Sequence, residues 1–190
     1  MKTKWIGLML VAVLAMLACK EQTSEMTMEE ETMEAPDYAA FDKKVATIRA
    51  FYKAHEDEDL EAQRAMLADT MQWSPPAYNG NQWLGKTELL EALKGYHDNF
   101  DNIQWHEGII LPDTTAGAYW SGSVFPEATA TNTSTNIRIY GTWTATHTES
   151  GKEIGVKFYS LMVFNEEGVI VQGSDYFDVH GLQAQLMADE

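Results

Sequence analysis

The sequence predicts an α+β domain in which helices come first and a mostly antiparallel sheet follows. Between residues 38 and 100 apolar side chains recur every three or four positions, the period of an amphipathic helix. From 103 to 177 the period falls to two, in segments divided by turn-forming residues. Helices and strands are segregated along the chain rather than alternating, which separates this class from the parallel α/β folds. No internal repeat is present.

Each element follows from its own pattern. Phe41, Val45, Ile48, Phe51, Tyr52 and His55 form one stripe of a first helix, and Asp42, Lys43, Lys44 and Arg49 occupy its other face. The acidic run 56–59 interrupts it. Asp59 is placed to cap a short second helix whose period is marked by Leu60, Gln63, Met66 and Leu67. Met71-Gln72-Trp73 reads as extended, Ser74-Pro75-Pro76 ends any regular element, and 77–84 is a loop. A third helix is expected over Glu88 to Phe100, with Thr87 as its cap and Leu89, Leu90 and Leu93 as its buried stripe. Strands are expected near 103–111, 117–125, 136–147, 154–164 and 169–177, with a polar loop at 126–135. The connectors 148–152 and 165–168 each carry a glycine where a tight turn needs positive φ. A last helix is expected over 179–187, capped by Asp178.

The chain of 190 residues carries a formal charge of −16, 45% hydrophobic residues and 11% aromatic residues. That is enough apolar material for a core. Lys and Arg are not clustered, so nucleic acid is excluded as a partner. Residues 1–18 combine a basic start with an apolar run too short for a comfortable membrane span, which is the form of a secretory signal peptide. Met16-Leu17-Ala18-Cys19 resembles a bacterial lipobox. The resemblance implies that Cys19 is lipidated and becomes the mature N-terminus, anchoring the protein to a membrane of the bacterial cell envelope. Loss of Lys2 and Lys4 with the leader leaves 11 basic residues against 29 acidic ones, a balance of −18. Cys19 is the only cysteine, so an internal disulfide is impossible. Residues 20–37 are acidic, lack aromatic side chains and read as a flexible tether. The tether fits a periplasmic linker and a surface-export signal equally well. The organisation is thus a leader (1–18), a lipidated cysteine and tether (19–37), and one folded domain (38–190).

Strand alternation then singles out one residue. On 136–147 the apolar face carries Ile137, Ile139, Gly141, Trp143, Ala145 and His147, against Arg138, Tyr140, Thr142, Thr144 and Thr146. On 169–177 the apolar face carries Val169, Val171, Gly173, Asp175 and Phe177, against Ile170, Gln172, Ser174 and Tyr176. A carboxylate on an apolar face must be paired, hydrogen-bonded or protonated. Desolvation raises its pKa and suits it to acid or base work near neutrality. The alternatives are a strand already at its solvent-exposed end, or an aspartate that caps a turn.

Three segments carry a family resemblance: Ile48-Arg49-Ala50-Phe51-Tyr52, Gly85-Lys86-Thr87-Glu88-Leu89-Leu90-Glu91-Ala92-Leu93, and the ending from Gly168 through Asp175, Gly181 and Leu186. Together they make residues 40–187 resemble the SnoaL-like branch of the nuclear transport factor 2-like superfamily. The resemblance implies a cone: a strongly curved, mostly antiparallel sheet packed on N-terminal helices, with a pocket at the open end. It also implies that an aspartate on the last strand, here Asp175 with Asp178 as a weaker choice, is the base where members are enzymes. The cyclase branch pairs that base with a histidine on the preceding strand. Residues 154–164 hold none; the nearest polar groups there are Lys157, Tyr159 and Ser160.

Tyr52, His55, Trp73, Trp143 and Tyr159 are the expected pocket residues, since ligand sites favour aromatic walls. His97-Asp98, His106-Glu107 and His147/His180 lack paired ligand spacing, so no metal and no cofactor is expected. Three functions remain in order. The first is a lipid-anchored domain that binds a hydrophobic small molecule. The second is an enzyme of the SnoaL-like or ketosteroid isomerase type using Asp175 as general base on a carbonyl substrate. The third is a protein-interaction module, possible as a homodimer through the outer sheet face around Arg138, Tyr140 and Thr142.

Overall fold

In the computed structural model the described residues are 38–111, 114–121 and 136–188. The expected leader, Cys19 and its tether, the end of the strand expected at 117–125 and the loop 126–135 lie outside them.

Helix α1 (Ala39–Glu56) buries Val45, Ile48, Phe51, Tyr52, Ala54 and His55, the stripe read from its periodicity. The chain then reverses at Glu58, which sits at φ 55°. Asp59 caps α2 (Leu60–Ala65) by accepting the Ala62 N–H at 2.9 Å. The helical period continues through Met66 and Leu67, but the helix does not. Ile170 donates its N–H to the Met66 carbonyl at 3.1 Å, and strand β1 (Leu67–Ser74) pairs with the last strand from Leu67 onward. Sheet pairing outcompetes a half-turn of helix. Helix α3 spans Lys86–Asn99, and its cap is Gly85 rather than Thr87. The Glu88 carboxylate accepts the Gly85 N–H at 2.9 Å, and Lys86 donates to the Leu67 carbonyl at 2.7 Å, so the helix starts two residues early. It also ends early, because Phe100 already belongs to the next strand.

The strands are β2 (Phe100–Glu107), β3 (Ile109–Leu111), β4 (Thr114–Ala116), β5 (Tyr119–Ser121), β6 (Asn136–His147), β7 (Glu153–Phe164) and β8 (Ile170–Phe177). The main sheet runs β1-β8-β7-β6-β2, and β5 also pairs with β6. Only β1–β8 is parallel among these pairs. The sheet is curved and unclosed. The strand expected over 103–111 breaks at Gly108, where φ is 98°, and its second half pairs with β4 as a separate two-stranded unit. Gly151 and Gly168 take the positive φ expected of their turns.

Helices α1 and α3 cover one face of the sheet. Ile48, Phe51, Tyr52, Leu89 and Leu90 pack there with Met71, Trp73, Ile137, Ile139, Met162, Phe164 and Ile170. Ile170 overturns the strict alternation expected for the last strand. It is fully buried in this core, not on the outer face. The β7–β8 register shifts between Val163 and Phe164, so Val171 is an extra residue and the parity upstream of it inverts. Downstream, Gly173, Asp175 and Phe177 keep the expected inner face. Helix α4 (Val179–Met187) begins at Asp178, whose carboxylate accepts the Gly181 N–H at 2.7 Å. Gln185 then ties α4 to Gly155 through both backbone groups, each at 3.0 Å. A second apolar cluster of Phe100, Ile103, Ala145 and Ile154 packs under Leu182 and Leu186 of this helix.

One glycine decides the packing of the indoles. A Cβ on Gly141 would lie 2.2 Å from the Trp105 ring, so that ring rests directly on the bare backbone of β6. On the other side of Trp105, Glu56 accepts its backbone N–H at 2.8 Å. Arg49 and Glu107 close a bidentate pair at 2.7 and 2.9 Å, which fastens α1 to β2. The pair is substantially exposed and its contribution to stability is small.

Candidate functional site

Between the helices and the inner sheet face lies a cavity of about 120 Å³. A hollow of this order holds a benzene-sized ligand. Its wall is built mainly of apolar and aromatic side chains from α1, α3, β6, β7 and β8, and Leu182 of α4 closes one side.

Asp175 faces this cavity from β8. Trp73 of β1 donates its indole N–H to Asp175 Oδ2 at 2.7 Å. Ser160 of β7 stands opposite Asp175 in the strand ladder. Asp175 retains some accessible surface, as a side chain lining a hollow does, yet protein surrounds its carboxyl. Burial pushes the carboxyl above the usual aspartate range, and the Ser160 hydroxyl and Trp73 indole pull in the opposite direction.

Tyr52 lines the same cavity within a cluster of rings. Its centroid is 4.8 Å from Trp105 and 5.1 Å from Trp143, both edge-on. Burial raises the phenol well above its ordinary value, and the Asp175 charge adds to that. The phenol therefore stays protonated and is a hydrogen-bond donor. Its hydroxyl has no well-formed hydrogen bond in the protein, and neither does the Ser160 hydroxyl. Gln63 is more extreme: it is 0% exposed, it lines the cavity, and both its amide N and its amide O lack partners. Buried polar groups without partners are uncommon and each needs an explanation.

His55 also lines the cavity, at its α3 side. Its Nδ1 is 2.8 Å from His97 Nε2, so one ring donates and the other accepts. Burial lowers His55 to about 3, and the neighbouring His97 adds to the fall. His97 is lowered as well, chiefly by burial. Both rings are uncharged at neutral pH. Among the described residues no three side chains of the metal-binding types gather at one point.

Of the residues expected at the pocket, the structure brings together Tyr52, His55, Trp73, Trp143 and Asp175. Tyr159 is a correction. It stacks between Tyr140 and Tyr176 at 4.7 and 5.5 Å on the outer sheet face. The β7 register turns Phe158, Ser160 and Met162 inward, and a period of two forces Tyr159 outward. Asp178 is exposed and occupied as the α4 cap. Gln63 and Ser160 were missed as site residues. The signal for Gln63 was a carboxamide standing on an otherwise apolar helical stripe. Ser160 shares the parity of Phe158 and Met162.

No protein-family profile and no curated protein matches the sequence. Solved structures do match. A candidate polyketide cyclase from Xanthomonas campestris pv. campestris superposes with a TM-score of 0.57 at 15% identity, covering 78% of this chain and 99% of that one. An NTF2-like protein from Burkholderia thailandensis gives 0.51 at 15% identity, covering 77% and 98%. An LEH-like epoxide hydrolase of M. tuberculosis gives 0.51 at 13% identity, covering 77% and 90%. At such identities the likeness is one of fold. The domain has the α+β fold of SnoaL-like and NTF2-like proteins, a curved antiparallel sheet wrapped on N-terminal helices. The same fold carries several activities, so function has to be argued from the cavity.

Proposed function

We propose that this is a small-molecule-binding domain with a hydrophobic cavity, carried on an envelope lipoprotein anchored through Cys19. One observation carries the binding reading. The cavity is apolar, yet Gln63 presents a buried amide nitrogen and oxygen with no partner, and Tyr52 a buried phenol with no well-formed hydrogen bond, beside the desolvated Asp175. An unpaired buried polar group costs about 1–3 kcal/mol. A ligand with an apolar body and one polar end removes that cost for several groups at once. Toluene, a neutral aromatic matched to a hollow of this size, tests this. It should bind saturably at one site, and Ala92→Phe, which fills the cavity wall, should abolish binding. Unsaturable uptake, or binding unchanged by Ala92→Phe, contradicts the reading. The anchor has its own test: Cys19→Ser should move the protein from the membrane fraction to the soluble one, and unchanged fractionation rules lipidation out.

A second reading is enzymatic and rests on Asp175 alone. Its carboxyl is raised by burial, faces the cavity, and lies near the Tyr52 phenol, the pairing of a base with a donor for a carbonyl oxygen. Ser160, rather than a histidine, faces Asp175 across the ladder, so no second acid–base group completes the pair. For that reason binding without turnover ranks first. The test is exchange of an α-proton of a hydrophobic ketone into D₂O. Exchange that Asp175→Asn removes establishes the enzyme; no exchange by the wild type sets it aside.

A further inference from the structure

We propose that the cavity selects a hydrophobic amine, its protonated or quaternary nitrogen seated against Asp175 among the rings of Tyr52, Trp73, Trp143, Phe158 and Phe177. This rests on the small-molecule reading above and names the class of ligand.

The argument is one of charge and of wall chemistry. Among the described residues Asp175 is the only carboxylate in the cavity lining, and no lysine or arginine lines it. The one titratable base in the wall, His55, is buried and uncharged. The described lining therefore supplies a carboxyl with no cationic partner. The Trp73 indole donates to one of its oxygens and the Ser160 hydroxyl also acts on the carboxyl, but both are neutral and neither supplies a counter-charge. A buried carboxyl is paired, hydrogen-bonded or protonated, and a cationic ligand supplies the pairing that the wall itself does not.

The three charge classes of ligand then separate. An anionic ligand meets Asp175 with nothing to offset the repulsion. A neutral ligand leaves the carboxylate as costly as before. A cation pairs with Asp175 in a cavity walled by aromatic rings, whose faces carry negative potential. The rings are packed closely enough to act together: Trp143 lies 6.4 Å from Phe158, and Phe158 lies 6.2 Å from Phe177. The formal charge of −16 draws cations to the protein as a whole. The unpartnered Gln63 carboxamide, and the Tyr52 phenol with no well-formed hydrogen bond, remain available to a hydroxyl or carbonyl elsewhere on the amine. The cavity volume of about 120 Å³ admits a ring and a small alkylammonium head at its margin.

The experiment compares isosteres that differ only in charge. Benzyltrimethylammonium and neopentylbenzene have the same shape, with N⁺ replaced by carbon. Each is titrated into the full protein and read by tryptophan fluorescence and calorimetry. The ammonium is expected to bind roughly tenfold or more tightly than the hydrocarbon. Asp175→Asn is expected to collapse that difference. Equal affinities in the wild type, or a preference that survives Asp175→Asn, overturn the amine proposal while leaving small-molecule binding standing. If neither compound binds, the binding reading itself falls. Equal affinities in the wild type overturn the proposal whether or not the variant folds.

Discussion

Replacing His55 by phenylalanine isolates a pH effect that the cavity wall builds into folding. In the unfolded chain a histidine takes up its proton near 6.5, whereas His55 in the fold is lowered to about 3. Between those values the unfolded state binds more protons, so stability falls as the pH falls. Each unit of separation is worth about 1.4 kcal/mol, and at pH 5 the loss relative to pH 8 is about 2 kcal/mol. For a domain of this size that is a fall of about 4–8 °C in Tm. His97, lowered by burial, acts in the same direction. Asp175 acts in the opposite one: its raised carboxyl favours the folded state at acid pH and loses that advantage as the pH rises. Both groups are present in His55→Phe, so they largely cancel when wild type and variant are compared at each pH. The assay is urea denaturation followed by tryptophan fluorescence at pH 8 and pH 5. Wild type should lose about 2 kcal/mol more than His55→Phe between the two. Equal losses would refute the assignment of His55 as a buried, neutral ring.

Three further outcomes follow from the geometry. Gln63→Met keeps the side-chain shape and removes two unpartnered polar atoms, so stability should rise by about 1–3 kcal/mol in denaturant. Trp73→Phe removes the indole N–H on Asp175; stability should fall by about 1.5–3 kcal/mol at pH 8 and by less at pH 4, where the carboxyl is more protonated. Gly141→Ala drives a methyl into the Trp105 ring and should cost about 1–3 kcal/mol, with a shift in tryptophan emission as the indole is displaced.

Where the sequence spoke clearly, one physical rule governed the segment. The stripe from Phe41 to His55 is set by helical geometry alone, and the same holds for the caps Asp59 and Asp178, whose carboxylates reach N–H groups three residues on. The inner face of β6 was legible because Ile137, Ile139 and Ala145 leave no doubt about parity. Asp175 was found by the same rule. Where two rules competed, tertiary pairing won. The period Leu60, Gln63, Met66, Leu67 continues a helix, but β8 captures Leu67 into a strand. On β7 both faces carry aromatic and polar groups, so parity depends on a register with β8 that no local pattern reveals. Tyr159 faces outward and Ser160 inward for that reason. The inversion at Ile170 comes from one inserted residue, Val171, whose effect exists only in the paired sheet. Gln63 was visible as a polar residue on an apolar stripe. Its lack of any partner became visible only once α2 was packed against the sheet and the cavity.

The most direct test of a ligand site inside this fold is where a neutral apolar molecule sits. Methyl-labelled protein saturated with neopentylbenzene should show intermolecular NOEs to Leu93, Ile154, Val156 and Met162, which line the cavity. NOEs confined to Leu161 and Val163, their neighbours of opposite parity on β7, would place the molecule on the outside of the sheet and contradict an internal site.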